Sequence, residues 1–161
     1  VRSKEGERLN GEDVWGSNIT DASFIPQKPD FQLPIPSTVS SAQVQQLSPA
    51  VLAYLGDAIY ELHVRMFYLL PQQRPETYHC LVVAQVRAET QALHLRSLTP
   101  HLRDKELEIV RRGRNAATGR PKRLDPEIYQ QATSLETLVG YLYLTDYQRL
   151  IELLQKLHLE R

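Results

Sequence analysis

The sequence predicts an all-α fold: one compact helical domain over residues 44–161, preceded by an N-terminal extension over residues 1–43. Three observations lead there. From Leu47 onward, apolar residues recur three and four positions apart, the spacing of one face of a helix. Prolines and Ser/Thr-Pro pairs cut that pattern into helix-sized lengths. No stretch alternates apolar and polar residues as a half-buried strand would, and no internal repeat is present.

The elements follow in chain order. Residues 1–43 hold Pro26, Pro29, Pro34 and Pro36 among scattered charges, with no sustained helical period. Proline lacks a backbone donor and fixes its own dihedral, so this extension reads as extended or disordered, with Phe24, Ile25, Phe31, Leu33 and Ile35 able to lie across a groove on the domain. Ser48-Pro49 reads as an N-cap followed by proline in the first helical position. The helix it opens runs from Ala50 to Leu70, carries Leu52, Leu55, Ile59, Leu62 and Met66 on one face, and stops at Pro71. Pro75 opens a second helix, from about Glu76 to Leu98. After Thr99-Pro100 comes a shorter helix through Leu107, Val110 and Arg111, then a loop from Gly113 to Pro121. A further helix covers Pro126 to Leu144. Thr145 and Gln148 have capping-box spacing and start the last helix, which buries Leu150, Ile151, Leu154 and Leu157.

Composition excludes several classes. The 161 residues are enough for one domain with a core, and an apolar content of 42% is ordinary for a globular chain. Cys80 is the single cysteine, read as a small apolar residue on a helix; no disulfide can form within the chain, which fits a reducing compartment. No apolar run approaches the roughly 18 residues of a membrane span. The N-terminus lacks the pattern of a secretory signal, although the chain begins at Val1 and leaves room for an upstream piece. There is no phosphate-binding P-loop, dinucleotide-binding glycine fingerprint or zinc finger, and the histidines at 63, 79, 94, 101 and 158 lack metal-ligand spacing and read as helix-surface or half-buried residues.

Two carboxylates stand out. Asp57 is the only charge between Leu47 and Tyr60, in the middle of a helix where aspartate is a poor residue. An unpaired buried charge costs several kcal/mol by rough estimate, so a cation or a cationic side chain must offset it. Glu136 is the only charge between Ile128 and Thr145, beside a stripe of Leu135, Leu138, Val139 and Leu142. One shared site explains both, and such oxygen ligands with no histidine cluster suit Mg2+, with Mn2+ as a substitute. The alternatives stand beside it: Asp57 in a buried ion pair with Arg65 or a distant arginine, and Glu136 facing solvent. Glu61 sits one turn before Arg65 and reads as half of a helix-surface ion pair.

Charge is also gathered in one place. Net charge is zero, but residues 111–123 hold six of the 19 basic residues and none of the 19 acidic ones, leaving 13 basic against 19 acidic elsewhere. Arg111, Arg112, Arg114, Asn115, Arg120, Lys122 and Arg123 are candidate nucleic-acid-binding residues that would read a phosphate backbone, with Gly113 and Gly119 permitting close backbone approach. A solvated loop, or arginines complementing a helix C-terminus, would give the same run.

Three stretches carry a family resemblance. Leu52 to Leu62, LAYLGDAIYEL, resembles the signature helix of the ribonuclease III family; Ala132 to Leu144 resembles its second acidic motif; and Arg111-Arg-Gly-Arg-Asn115 is similar to the linking motif of its Mini branch. Order and spacing agree from about Leu47 to Leu157. Other members carry glutamates where this chain has Ala50 and Ala53, and an aspartate where it has Thr133; the Mini branch shares these departures. The resemblance implies a homodimeric, metal-dependent endoribonuclease without a double-stranded RNA-binding domain. Asp57 and Glu136 would be the catalytic metal ligands, and cleavage of duplex RNA would leave 5′-phosphate and 3′-hydroxyl ends. It further implies action on the precursor of large-subunit ribosomal RNA, in a bacterial cytoplasm or a plastid stroma. The competing class is a non-catalytic, ribosome-associated RNA-binding protein of the same fold, which retention of both carboxylates argues against.

Overall fold

In the computed structural model, residues 39–117 and 124–159 are described. They form seven α-helices and one 3-10 turn, and no strand occurs among them. The helices are α1 (Ser41–Gln46), α2 (Pro49–Tyr68), α3 (Pro75–Val86), α4 (Ala88–Leu98), α5 (Asp104–Ala116), α6 (Pro126–Thr145) and α7 (Tyr147–Leu154); the 3-10 turn is Thr99–His101. None of the described helices is long and apolar enough to cross a membrane.

The local signals explain most of the boundaries. The Ser40 hydroxyl accepts from Gln43 N–H while the Gln43 side chain accepts from Ser40 N–H, a capping box that starts α1 inside the stretch expected to be an extension. Ser48 caps α2 with Pro49 in the first turn, as the sequence predicts, and that helix ends just before the cis Leu70–Pro71 peptide bond.

Three boundaries differ from expectation. The helix expected from Glu76 to Leu98 is two helices, broken at Arg87, whose backbone is extended. No glycine or proline marks the break. Instead, side chains satisfy the carbonyls that α3 leaves open: the Thr90 hydroxyl donates to Ala84 (2.7 Å), the Tyr60 hydroxyl to Gln85 (3.3 Å) and the Gln91 amide to Val86 (3.1 Å). The loop expected from Gly113 is helical as far as Ala116, because Gly113 is buried against α6. The last helix is capped by Asp146, whose carboxylate accepts from Arg149 N–H, and not by Thr145, whose hydroxyl donates back to the Tyr141 carbonyl within α6.

Helix α6 is the axis of the fold, packed against α2, α4, α5 and α7. From Ala132 to Tyr143 it is buried nearly all round, as a helix enclosed by others is. Its own Leu135 and Leu138 and, around it, Leu52, Tyr60, Val64, Leu98, Leu150 and Leu153 are all fully or almost fully buried. Each leucine contributes roughly 1.5–3 kcal/mol by leaving water. Leu154 and Leu157 are buried as expected, whereas Ile151 is only half-buried.

One buried ion pair had no signal in the apolar pattern. Arg149 (9% exposed) and Glu106 (3% exposed) meet through Nε–Oε1 at 2.8 Å and Nη2–Oε2 at 3.1 Å, tying α7 to the start of α5. Arg149 Nη2 also donates to the His101 carbonyl, and Arg103 N–H donates to Glu106 Oε2. Burial by itself raises a carboxyl, but these donors outweigh it and hold Glu106 below its ordinary range.

Candidate active site

The site begins with two glycines. At Gly56 an added Cβ would overlap the Glu136 carbonyl oxygen, and at Gly140 it would overlap the Leu52 carbonyl oxygen. Helices α2 and α6 therefore cross backbone to backbone, closer than any side chain allows. Asp57 directly follows Gly56, and Glu136 is one turn before Gly140, so the crossing itself brings the two carboxylates together. A third glycine does the same for α5: a Cβ on Gly113 would lie 2.6 Å from Thr137 Oγ1 and 3.0 Å from Ser134 Cα. That contact carries the C-terminal turn of α5 to the same region. Gly113 is thus a packing residue between helices, not a loop glycine free to approach a phosphate; Gly119 lies outside the described residues.

The result is a cleft of about 470 Å³. Helix α2 contributes Ala50, Ala53, Tyr54 and Asp57, and α6 contributes Tyr129, Ala132, Thr133 and Glu136. Val86, Ala88 and Gln91 line it from the α3–α4 break, and Ala116, Ala117 and Leu124 from the end of α5 onward.

Asp57 is exposed in this cleft, which corrects the expectation of a buried charge. Its apolar sequence neighbours mislead because several of them are exposed as well: Val51, Tyr54 and Ala58. The buried stripe of α2 is Leu52, Ala53, Gly56, Ile59, Tyr60, Val64 and Tyr68. Partial burial still raises the Asp57 carboxyl above its usual range, and the Glu61 charge adds to this. Glu61 itself pairs with Arg65 on the helix surface, so Arg65 is not the partner of Asp57; no ion pair to Asp57 occurs among the described residues.

Glu136 is half-buried in the wall of the same cleft. Burial pushes its carboxyl up to about 7, the negative charge of Asp57 pushes the same way, and the Gln91 amide acts against both by favouring the ionised form. Two carboxylates from different helices thus line one open cleft, and the charge of Asp57 makes Glu136 harder to ionise. No group of three or more His, Cys, Asp or Glu side chains converges among the described residues. The pair, with the unpartnered buried Gln91 Oε1 beside it, offers hard oxygen donors and an unbalanced negative charge, a combination that fits a divalent cation.

The basic run is only partly described. Arg111, Arg114 and Asn115 are exposed on the last turns of α5, and Arg112 is half-buried. Arg114 Nε donates to Gln130 Oε1 at 3.3 Å, which leaves the rest of its guanidinium outward. Arg120, Lys122 and Arg123 lie outside the described residues. Among the histidines, His94 is buried against the Tyr60 hydroxyl (Nδ1 to Oη, 2.6 Å), and Cys80 is exposed on α3.

The Ribonuclease III domain model matches residues 50–147, which span the cleft from Ala50 to Glu136. The chain belongs to the ribonuclease III family, in its Mini-ribonuclease 3 branch. A Mini-ribonuclease 3 of Synechococcus sp. is 62% identical over 119 residues, covering 74% of this chain and 86% of that relative. One of Synechocystis sp. is 60% identical over 116 residues, 72% and 81% of the two chains. A crystal structure of a Fusobacterium nucleatum protein superposes with a TM-score of 0.64 at 31% identity, covering 70% of this chain and 92% of that one. Within the family frame the departures gain a location. Ala50, Ala53 and Thr133, where the resemblance expects acids in longer members, all line the cleft. In this chain the cleft therefore holds fewer carboxylates than the resemblance expects in longer members. Sequence reasoning missed Gln91, whose burial depends on the unmarked break before α4. It also missed the role of Gly56 and Gly140, although a glycine in mid-helix, about 1 kcal/mol worse than alanine, is a readable sign of close packing.

Proposed function

We propose that this chain is a divalent-metal-dependent endoribonuclease that cuts double-stranded RNA, with Asp57 and Glu136 holding the cation. Family membership carries the coarser part, an endoribonuclease acting on RNA. The observation that carries the site is the meeting of two carboxylates in one open cleft at the Gly56–Gly140 crossing. When bound, Mg2+ or Mn2+ supplies Lewis-acid stabilisation of the charge that develops on the scissile phosphate. The protein's own part is positional. The helix crossing fixes the carboxylates, and the alanines at 50 and 53 leave the cleft wall uncharged where a phosphate must enter. The exposed arginines at the end of α5 flank the cleft and would grip backbone phosphates; an A-form duplex is read mainly through its shape and backbone.

The natural substrate we infer is the precursor of large-subunit ribosomal RNA, cut by a homodimer in the cytoplasm, or in a plastid stroma, to give 5′-phosphate ends. Asp57→Asn is the direct test. Cleavage of a generic RNA duplex in saturating Mg2+ should fall at least a hundred-fold, on the order of 3 kcal/mol of transition-state stabilisation, with helical content unchanged. Turnover within a few-fold of wild type would remove Asp57 from the reaction. Sequencing ribosomal RNA ends in a strain lacking the protein tests the substrate; mature large-subunit ends there would reject it.

A further inference from the structure

Arginines of this chain are held in two different ways. Arg65, Arg103 and Arg149 pair with carboxylates of the protein itself, those of Glu61, Asp146 and Glu106. None of the three adjoins in sequence a residue that lines the cleft. Arg87 and Arg96 are exposed and make no ion pair among the described residues. Each is held through its Nε by a neutral oxygen instead, Arg87 by Thr90 Oγ1 at 3.2 Å and Arg96 by Gln131 Oε1 at 2.8 Å. Arg114, within the basic run, is held in the same manner by Gln130 Oε1.

Their placement ties them to the cleft. Arg87 stands at the α3–α4 break between Val86 and Ala88, both of which line it. Arg96 reaches across from α4 to Gln131, the residue before cleft-lining Ala132 on α6. The Gln131 amide is itself oriented: its Nε2 donates to Glu127 Oε1 at 3.0 Å, which leaves Oε1 for the guanidinium. Gln130 and Gln131 are consecutive, so α6 receives Arg114 from α5 and Arg96 from α4. Oriented cations therefore stand beside two walls of the cleft, and only the wall at the end of α5 belongs to the basic run.

The kind of hold decides what such a cation can do. A carboxylate partner would cancel its charge, and an arginine without any hold loses more side-chain freedom when it binds. A neutral acceptor on Nε keeps the full charge and fixes the guanidinium plane. The Nη groups of Arg87 and Arg96 make no bond among the described residues, and they form the fork that takes two oxygens of one phosphate. Solubility alone requires no such orientation.

We propose that Arg87 and Arg96 form a second phosphate grip of the cleft, binding the backbone of an RNA duplex from the α3–α4 side while the basic run binds it from the end of α5. A duplex presents phosphates along both edges of each groove, so two separate patches hold it across a groove where one patch holds a single edge. The inference rests on the reading of this cleft as the place where duplex RNA is cut.

The test is binding of a generic RNA duplex in chelator, where nothing is cut, over a range of salt concentrations. Arg87→Gln combined with Arg96→Gln should flatten the slope of log affinity against log salt by roughly 1–2, because each lost phosphate contact releases about one counterion fewer. In cleavage at saturating Mg2+ its KM should rise several-fold, with kcat within about two-fold of wild type. Arg87→Lys combined with Arg96→Lys keeps both charges and should keep the wild-type slope. Arg65→Gln combined with Arg103→Gln removes the same net charge from carboxylate-paired positions and should keep it too. An unchanged slope in the Arg87/Arg96 glutamine variant, or equal flattening in the Arg65/Arg103 control, overturns the proposal. So does a wild type that binds no duplex, which would leave an acidic protein surface as the occupant. Both arginines are exposed, so the thermal midpoint of the glutamine variant should match wild type; weaker binding that only follows a lower midpoint makes the two residues structural and overturns the grip. Binding in chelator needs no carboxylate chemistry. A flattened slope beside an Asp57→Asn variant that cleaves normally would therefore keep the grip and reject the metal-site reading alone.

Discussion

Glu136 holds its proton up to about pH 7 in the metal-free fold, whereas an ordinary glutamate releases it near 4.5. The folded state therefore binds that proton more tightly than the unfolded chain, and the sign of the linkage follows. The protonated site is the comfortable one. Stability is lost as pH rises from about 4.5 to about 7, and the loss is complete above that window. Its size is on the order of 3 kcal/mol at most. Glu136→Gln removes the titration. In chelator, the variant should match wild type in thermal midpoint at pH 4.5 and exceed it at pH 8, where Mg2+ should raise the wild-type midpoint and leave the variant's nearly unmoved. A gap between the two proteins that does not widen with pH would mean the carboxylate is not held in this environment. At this scale the sequence was readable where chemistry contradicted context. Asp57 and Glu136 are each a lone charge in an apolar run, and the structure brings both to one cleft. What could not be read was exposure. The run around Asp57 is apolar on both faces of α2, so its hydrophobicity does not reveal which face opens to the cleft.

Helices, more than side chains, set the distance between those carboxylates. At the α2–α6 crossing the backbones touch, and α6 cannot retreat because α4, α5 and α7 close on its other sides. Alanine normally stabilises a helix by about 1 kcal/mol over glycine. Here the added methyl would have to overlap a backbone carbonyl, and overpacking of this kind costs roughly 1–3 kcal/mol or more. Steric overlap wins, so Gly140→Ala should lower urea stability by about 2 kcal/mol or more and reduce cleavage beyond what the unfolded fraction explains, because the carboxylates are driven apart. A stabilised Gly140→Ala would show that the helices are not in backbone contact. The element pattern was legible wherever a proline or a serine cap announces it, as at Ser48-Pro49, at Pro75 and at Pro126. It failed where tertiary contacts decide. Arg87 breaks a continuous helical pattern because Tyr60, Thr90 and Gln91 receive the freed carbonyls, and Gly113 stays helical because Thr137 and Ser134 press on it.

For the molecule as a whole, one cleft carries one pair of acids, while a duplex has two strands. A two-fold dimer would present two clefts to one RNA, the symmetry most small oligomers adopt. Beside Asp57 on α2, Tyr54 stands 86% exposed and Val51 53% exposed, apolar surface that a second copy would cover. Sedimentation should therefore give a homodimer at micromolar concentration and a monomer for Tyr54→Glu; a wild-type monomer that cuts both strands together would contradict this. Charge sets the remaining expectation. The chain is neutral overall, yet residues 111–123 carry six basic groups and no acid, against 13 basic and 19 acidic residues elsewhere. Net charge therefore cannot drive association with RNA; a local patch must, while the acidic remainder repels the same phosphates. Arg111 and Arg114 are exposed on the last turns of α5, whose end lines the cleft, so phosphates bound there would lie near Asp57 and Glu136. If they and the following Arg120, Lys122 and Arg123 neutralise phosphates, each releases close to one counterion, and the slope of log affinity against log salt should flatten by roughly 3–5 when all five become alanine. The loss should be equal across duplex sequences, because backbone contacts carry no base information. The Mn2+ affinity of the free protein should stay unchanged, which separates failure to hold RNA from failure of the carboxylate site. Equal slopes for wild type and variant would mean that these cations do not touch phosphate, and the path of the duplex would then have to follow another face of the domain.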